Sequence, residues 1–241
     1  MRYAIFSDIH SNLEAFSAVL DALKQECIER YFCIGDIVGY ATNPSECIRM
    51  VKDLGPVIVA GNHDYGACGK LDLEYFVPRA KEALQWTQGV LVKEEFDFLC
   101  RLPLVHSEEN FVLAHGTLDA PQEFYYLNHF EEADRSFAVL EKQVCFVGHT
   151  HRPGVFVERD GEIFHKALGV LELEAHKRYI VNVGSVGQPR DGDPRACFVV
   201  YDADAKTIEV KRVEYNFSLT QKKILKSGLP ESLALRLAQG K

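Results

Sequence analysis

The sequence lacks the features that mark membrane, secreted and nucleic-acid-binding proteins. No apolar run is long enough to span a bilayer, and Met1-Arg2 leads into an apolar segment without a signal peptide, so we expect no membrane partner. Lys and Arg number 27 against 35 Asp and Glu, which gives a net charge of −8. This excess of negative charge argues against binding to a nucleic-acid polymer.

Cysteine is present, but the spacing of a metal site or a disulfide framework is missing. The seven cysteines are scattered, and no two form a Cys-x-x-Cys pair. Most of them, such as Cys33 and Cys145, stand in apolar segments and are typical of small core residues. The pattern predicts reduced thiols and a cytoplasmic location.

The length and the apolar content predict a single α/β domain over residues 1–241. With 241 residues and 47% hydrophobic side chains, the chain can bury a full core. Apolar strands alternate with helical patterns before Gly154, which favours parallel strands joined by helical crossovers. After Gly154 the pattern predicts antiparallel strands, and after Ser218 a helical end.

Several helices can be placed from local signals. Ser11-Asn12-Leu13-Glu14 is typical of a capping box, and it opens a predicted helix that runs to about Glu29. Two further helices are predicted over residues 78–88 and 93–102. Apolar stripes of helical period in these segments belong to a core.

Polar clusters follow several of the predicted strands. They are Asp8-x-His10, Gly35-Asp36, Gly61-Asn62-His63-Asp64, His115-Gly116 and Gly148-His149-x-His151. Ligands bind at the carboxyl ends of strands in an open α/β sheet, so these side chains are expected to share one crevice. The mixture of oxygen and nitrogen donors suits Mn, Fe, Zn, Co or Ni better than Ca or Mg. A structural zinc site would more often show closely spaced cysteines.

In order and spacing the five clusters resemble the calcineurin-like metallophosphoesterase superfamily. A later segment, Asn182-x-Gly184-Ser185-x-Gly187-x-Pro189-Arg190, extends the resemblance to about residue 200. The sequence is similar to the small prokaryotic phosphodiesterase branch, near the diadenosine tetraphosphatase-like members. The resemblance implies a four-layer α-β-β-α sandwich, with two mixed sheets face to face and helices outside.

The resemblance also implies two divalent transition-metal ions, with Mn as the first choice. Asp36 would bridge the two ions. The remaining ligands would be Asp8, His10 and His151 for the first ion and Asn62, His115 and His149 for the second. Two ions about 3.5–4 Å apart clamp a phosphoryl group and lower the pKa of a shared water, so a bridging hydroxide would attack phosphorus.

Two residues of the third cluster would act without binding metal. His63 resembles the family's catalytic histidine, which protonates the leaving alkoxide or at least stabilises its charge. Asp64 resembles the family's orienting acid, which fixes that imidazole and keeps it charged. The alternative for Asp64 is a simple turn residue.

Substrate contacts are less well defined by the sequence. Arg190 can clamp a phosphate with its planar fork, or it can form an ion pair in a surface loop. Tyr40 follows a ligand turn and can contact substrate. Tyr125 and Tyr126 either line the mouth of the pocket or lie on the surface.

The predicted activity is hydrolysis of a phosphodiester, with a small phosphate ester or a nucleotide as partner. The alternatives within enzymes are a phosphomonoesterase, acting on small molecules or on Ser/Thr phosphoproteins, and a dinucleoside polyphosphate hydrolase. The alternative outside enzymes is a metal-binding scaffold of the same fold, like the retromer subunit that has lost its catalytic histidine. A homo-oligomer is compatible with the sequence.

Overall fold

Twelve strands form the centre of the computed structural model, which describes all residues 1–241. The strands are β1 Arg2–Phe6, β2 Arg30–Cys33, β3 Val57–Ile58, β4 Val105–Ser107, β5 Phe111–Ala114, β6 Val144–Val147, β7 Gly154–Arg159, β8 Glu162–Ala167, β9 Val170–Glu172, β10 Arg178–Asn182, β11 Ala196–Asp202 and β12 Thr207–Val213. They form two six-stranded sheets, in the orders β3-β2-β1-β11-β12-β9 and β4-β5-β6-β10-β7-β8. Both sheets are mixed, as predicted.

Eight α-helices surround the sheets. They are α1 Leu13–Leu23, α2 Pro44–Leu54, α3 Asn62–Ala67, α4 Pro78–Val90, α5 Lys93–Cys100, α6 Phe130–Val139, α7 Phe217–Lys226 and α8 Glu231–Leu235. Short 3-10 helices occupy Leu73–Tyr75, Pro121–Glu123 and Arg236–Gln239. The predicted sandwich, with two sheets inside and helices outside, is confirmed. None of the helices is long and apolar enough to cross a membrane.

A core of apolar side chains lies between the two sheets. Phe32 of the first sheet meets Phe111 of the second edge to face, with ring centroids 5.2 Å apart. Phe111 packs in turn on Phe146. Each such ring, when fully buried, stabilises the fold by about 1.5–3 kcal/mol. This core holds the two sheets together and so fixes the strand ends against each other.

The first helix is shorter than predicted, and its cap is a different residue. Asn12, and not Ser11, accepts the backbone N–H of Ala15 at 3.2 Å. The helix ends at Leu23 because the chain then tightens into turns, in which Gln25 N donates to Ala22 O.

Three further features differ from the sequence prediction. The strands after Gly154 pair antiparallel with each other, as expected, but β10 also lies parallel to β6 on its other side. Strand β9 at the end of the first sheet was not predicted. Residues Asn62–Ala67 form a helix of six residues, which was not predicted. This last helix changes the surroundings of His63 and Asp64, as described below.

The C-terminal helices pack beside the crevice at the strand ends. Ile224, Leu233 and Leu237 form an apolar cluster with Ala83 of α4 and with Tyr40. This cluster joins the last part of the chain to the loop that follows β2.

Candidate metal centre and active site

The carboxyl ends of parallel strands from both sheets meet in one crevice. Asp8, after β1, donates its backbone N–H to Gly35 O at 3.0 Å, which links it to the turn after β2. Across the sandwich, the backbone N–H of His149 donates to Asp8 Oδ2 at 3.1 Å. Turns that are far apart in the sequence therefore form one continuous polar wall, as the strand pattern predicted.

Five of the polar residues in this wall have left-handed backbone conformations. Their φ values are Asp8 55°, His10 51°, Asp36 52°, His149 65° and His151 61°. A non-glycine residue pays about 1–2 kcal/mol for this conformation. Such strain is typical of functional sites, where the surrounding structure holds a side chain in a set direction. No sequence signal predicted it.

Glycine is required at one point of the wall by close packing. A Cβ atom on Gly61 would lie 2.1 Å from Asp36 Oδ1 and 2.4 Å from Asp36 N. Only glycine lets the loop before α3 approach the carboxylate so closely.

Asp8 and Asp36 each accept a backbone N–H with one carboxylate oxygen, and the other oxygen of each has no hydrogen-bond partner. Asp36 Oδ1 accepts the N–H of His63 at 2.8 Å, while Asp36 Oδ2 is buried without a hydrogen-bond partner. In Asp8, Oδ2 accepts the N–H of His149, and Oδ1 is the buried oxygen without a partner. Buried hydrogen-bond acceptors without donors are costly, which indicates that the functional site binds a cation.

Three of the histidines are oriented by backbone carbonyl groups. The Nδ1 atoms of His115 and His151 lie 2.6 Å from Ile34 O and Gln188 O, and Nδ1 of His10 lies 3.1 Å from Val38 O. A proton on Nδ1 leaves the Nε2 lone pair free, which is the usual arrangement in metal-bound histidine.

The free Nε2 atoms converge on the carboxylates. His151 Nε2 lies 3.1 Å from Asp8 Oδ1 and 3.1 Å from His10 Nε2. His115 Nε2 lies 3.3 Å from Asp36 Oδ2. Lone pairs that face each other at these distances repel unless a proton or a metal ion lies between them.

Two groups of donors share one member. Asp8, His10, Asp36 and His151 form one group, and Asp36, His115 and His149 form the other, with the donor atoms in each within 4.8 Å of one another. Asn62 adds a buried Oδ1 atom that has no hydrogen-bond partner. The structure therefore brings together all seven residues predicted as ligands, and their donor set fits a pair of metal ions.

The facing imidazole groups keep the carboxylates ionised. Burial alone would raise the pKa of Asp36, but the facing His115 and His63 lower it far below its usual range. The pKa of Asp8 is likewise lowered, against the effect of burial, by His151 and His10.

The histidines fall into two classes. Burial lowers the pKa of His149 and His151 to about 3, so both imidazoles are neutral and can donate a lone pair. His115 behaves differently: burial would lower its pKa, but the negative charge of Asp36 raises it to about 9. Positive charge is therefore favoured beside Asp36, either as a proton on His115 or as a bound cation.

His63 lies beside the donor groups and is held by packing. Its ring lies among those of His10, Tyr40 and Phe76, with centroid distances of 4.8, 4.4 and 5.2 Å. Its Nδ1 atom is buried without a hydrogen-bond partner and lies against Gly39, where a Cβ atom would come within 2.3 Å of it. A proton on Nδ1 would therefore be unpaired, which favours the tautomer with the proton on Nε2.

Asp64 does not orient His63, contrary to the role that the resemblance implied. Its carboxylate accepts the backbone N–H groups of Asp36 at 2.8 Å, Ile37 at 2.9 Å and Gly61 at 3.0 Å. Because His63 and Asp64 are consecutive residues of the helix α3, their side chains point in different directions. Asp64 is thus the turn residue of the alternative prediction, and it fixes the loop that carries Asp36. Burial and the charge of Asp36 raise its pKa to about 7.

Tyr40 and Arg190 lie together at the rim of the site. Arg190 Nη2 lies 3.3 Å from the Tyr40 hydroxyl and 3.1 Å from Gln188 Oε1. Arg190 forms no ion pair, so the alternative of a paired surface arginine does not hold. The adjacent Arg152 donates from Nε to Arg190 O at 2.9 Å and so holds this loop in place.

A cavity of about 530 Å³ opens directly from the donor groups. Asn62, His63 and His149 form its polar end, and aromatic side chains form much of the remaining wall. Tyr126 stacks on the His149 ring, with centroids 3.9 Å apart. Tyr75 is 81% exposed, and Tyr125 and Tyr126 are also exposed, although all three line the cavity.

Sequence reasoning missed the residues that support the donors. The carbonyl groups of Ile34, Val38 and Gln188 carry no side-chain signal, because any residue type supplies a carbonyl. No sequence pattern places Phe76 against the His63 ring, although the two rings are in contact. For Tyr125 and Tyr126 the sequence allows both the mouth of the pocket and the surface, and the structure shows them exposed and lining the cavity.

The fold and this donor set define a metallophosphoesterase. The sequence model of the Calcineurin-like phosphoesterase superfamily domain matches residues 1–206. The chain belongs to this superfamily, and the predicted class of metal-dependent phosphoesterase is confirmed.

Individual relatives are similar over the whole chain. The uncharacterized protein MJ0912 of Methanocaldococcus jannaschii is 41% identical over 99% of this chain and 98% of its own length. A crystal structure of a metallophosphoesterase from Sphaerobacter thermophilus is 38% identical, with a TM-score of 0.87 over 100% of this chain and 99% of that one. A hypothetical protein, PH1004 from Pyrococcus horikoshii, shares the fold at 22% identity, with a TM-score of 0.80 over 100% and 98% of the two chains.

Proposed function

We propose that the chain hydrolyses phosphate esters, with phosphodiesters as the preferred class, at a centre of two divalent metal ions. The observation that carries this proposal is the set of buried donor atoms without hydrogen-bond partners. Asp8 Oδ1, Asp36 Oδ2, Asn62 Oδ1 and His115 Nε2 all belong to it. Four orphaned donors in one crevice fit bound cations and would be costly in a protein that binds none.

The proposed ligand sets follow the geometry. Asp8, His10 and His151 would hold one ion, and Asn62, His115 and His149 the other. Asp36 would contact both ions, since it is the member common to the two donor groups. When bound, the two ions would supply Lewis-acid charge for the phosphoryl oxygens and a water of lowered pKa.

Other residues of the chain would act on the leaving oxygen and on the phosphate, or would hold these groups in place. His63 would direct its Nε2 proton at the leaving oxygen from the polar end of the cavity. Arg190 would bind a non-bridging phosphate oxygen with its planar fork, and Tyr40 would hold that guanidinium in place. Asp64 would act only through the backbone of the loop that it fixes.

The cavity supports an organic group on the leaving side of the ester. It begins at His63 and is lined by Phe76, Tyr75 and Tyr126, which suit a planar or aromatic group. A compact metabolite phosphate would leave this volume empty. We therefore place diesters and nucleotide-type esters before small monoesters.

The test is a substrate screen on protein loaded with Mn, then repeated with Fe, Zn, Co and Ni. The substrates are bis(p-nitrophenyl) phosphate, p-nitrophenyl phosphate, cyclic nucleotides, diadenosine tetraphosphate and a phosphopeptide. We expect metal-dependent turnover of the diester above that of the monoester. His115→Ala should abolish it, whereas His106→Ala should not, since His106 lies apart from the site and bonds to Glu108.

Two results of this screen would count against the proposal. Faster turnover of the monoester or of the phosphopeptide than of the diester would show that the protein is a phosphomonoesterase and not a phosphodiesterase. Full metal content without turnover of any ester would favour the scaffold. Cytoplasmic location is proposed on separate grounds, since all seven cysteines are free thiols.

A further inference from the structure

Among the four histidines of the two donor groups, only the ring of His149 is not oriented by a backbone carbonyl group. The rings of His10, His115 and His151 are each fixed through Nδ1 by a carbonyl oxygen. His149 donates its backbone N–H to Asp8 Oδ2, but neither nitrogen of its ring has a hydrogen-bond partner in the protein. A histidine that binds a metal ion is almost always oriented through its second ring nitrogen. Another contact must therefore set the direction of the His149 ring.

That contact is made by the ring of Tyr126. The Tyr126 and His149 rings are stacked, with centroids 3.9 Å apart and planes that differ by only 18°. An imidazole that binds a metal ion takes on part of its positive charge, and the face of a tyrosine ring attracts positive charge. The stack therefore both limits the rotation of the His149 ring and favours its metal-bound form.

The segment that carries Tyr126 is itself anchored beside the donor groups. Phe124 has a left-handed backbone, with φ of 51°, and its buried ring lies 6.0 Å from the His115 ring, centroid to centroid. The carbonyl group of Tyr125 approaches Gly116 so closely that a Cβ atom there would lie 2.7 Å from its oxygen. The segment thus lies against both histidines of the proposed second ion.

The histidines of the proposed first ion do not depend on this segment. The rings of His10 and His151 stack on each other, with centroids 4.8 Å apart, and each is also bonded to a carbonyl group. A change at Tyr126 is therefore expected to affect one ion and not the other.

We propose that Tyr126 is a positioning residue for the second metal ion. Its ring holds His149 in the direction in which the imidazole binds, which is the role of a carbonyl group for the other three histidines. This inference rests on the proposed function, because it takes Asn62, His115 and His149 as the ligands of an ion. Since Tyr126 also lines the cavity that begins at His63, one side chain lies between the second ion and the organic part of the substrate.

Metal binding tests the proposal without requiring turnover. Full-length protein is freed of metal and dialysed against a series of free Mn concentrations, and the Mn bound per chain is measured by elemental analysis. The wild type should bind two equivalents. Tyr126→Ala should weaken one of them by about tenfold or more and leave the other unchanged, since loss of the group that orients a metal-binding histidine typically costs about 10–100-fold in affinity.

Three further variants show whether the effect belongs to the stacked ring. Tyr126→Phe should bind Mn as the wild type does, because stacking uses the ring and not the hydroxyl. The matched control is Tyr125→Ala: Tyr125 is 51% exposed against 48% for Tyr126 and lines the same cavity, but it does not stack on His149. It should keep both affinities. His149→Ala should lose the equivalent that Tyr126→Ala weakens, and the double variant should bind the remaining one with unchanged affinity.

Wild-type affinity for both equivalents in Tyr126→Ala would overturn the proposal, even in an enzyme that hydrolyses esters. So would an equal loss in Tyr125→Ala or in Tyr126→Phe, or a weakening of both ions. A wild type that binds fewer than two Mn ions would overturn it together with the two-ion centre. Failure of the proposed hydrolysis alone gives a different result: no ester is turned over, yet one of the two Mn equivalents still depends on the aromatic ring of Tyr126.

Discussion

A single imidazole decides how the proposed reaction would treat different leaving groups. Burial lowers the pKa of His63, and the charges of His10 and Arg190 lower it further, although Asp36 opposes them. The ring is therefore neutral in the free protein. Its proton belongs on Nε2, since Nδ1 lies against Gly39 without an acceptor. A substrate phosphate would add negative charge nearby and so favour the imidazolium.

The first prediction concerns His63→Ala. An alkoxide leaving group needs a proton or an equivalent hydrogen bond, whereas p-nitrophenolate hardly does. We expect hydrolysis of alkyl and nucleoside esters to fall by about 10²–10⁴-fold, and that of the p-nitrophenyl ester much less. The measurement is the rate of the chemical step for esters with leaving groups of rising pKa.

The plot for His63→Ala should be steeper than that for the wild type, with both metal ions retained. His106→Ala serves as a control with the same change of residue outside the site. Parallel plots would show that His63 acts equally on all substrates, for example by orienting the phosphate, and would remove its role at the leaving oxygen.

At the scale of elements, an ion pair outside the apolar core also joins the two sheets. Arg30 of β2 makes a two-pronged contact with Glu108 in the turn between β4 and β5, at 2.9 and 2.7 Å. His106 also reaches Glu108, at 2.9 Å. The Arg30 guanidinium lowers the pKa of Glu108 to about 2. A carboxylate of lowered pKa stabilises the fold above its unfolded pKa and ceases to do so as the pH falls through the folded value.

The second prediction follows from this pair. Glu108→Gln should lower the free energy of unfolding at pH 7 by at most about 1 kcal/mol, since the Arg30 side chain is 42% exposed and water screens the contact. The difference from the wild type should shrink as the pH falls from 4.5, the ordinary pKa of a glutamate, to about 2, its pKa in the folded protein. Urea unfolding at a series of pH values measures it.

The neighbouring Glu109 provides the control, because it is exposed and forms no ion pair. Glu109→Gln should match the wild type throughout the range of pH. An equal loss of stability in Glu108→Gln at low and neutral pH would show that the contact between the sheets does not depend on the ionised carboxylate.

At the scale of the whole molecule, the sequence was most informative where polar residues follow the ends of predicted strands. The clusters around Asp8, Asp36 and His149 predicted one shared crevice, because the carboxyl ends of parallel strands meet. The sandwich itself came from the resemblance, since periodicity does not show which sheet a strand joins. Thus the parallel pairing of β10 with β6, which brings Asn182 beside Val147, was not visible locally.

The sequence failed where backbone geometry decides the role of a side chain. The short helix at Asn62 turns Asp64 toward backbone N–H groups and away from His63, and nothing in Gly61-Asn62-His63-Asp64 shows this.

The central claim is that two ions share Asp36, and metal content tests it most directly. Wild-type protein, reconstituted with Mn and freed of excess metal, should contain two equivalents per chain by elemental analysis. Asp36→Ala should contain one or none and lose nearly all activity, with an unchanged circular dichroism spectrum. Asp21→Ala, which removes an exposed carboxylate on α1, should keep both ions. Two full equivalents in Asp36→Ala would contradict the shared centre.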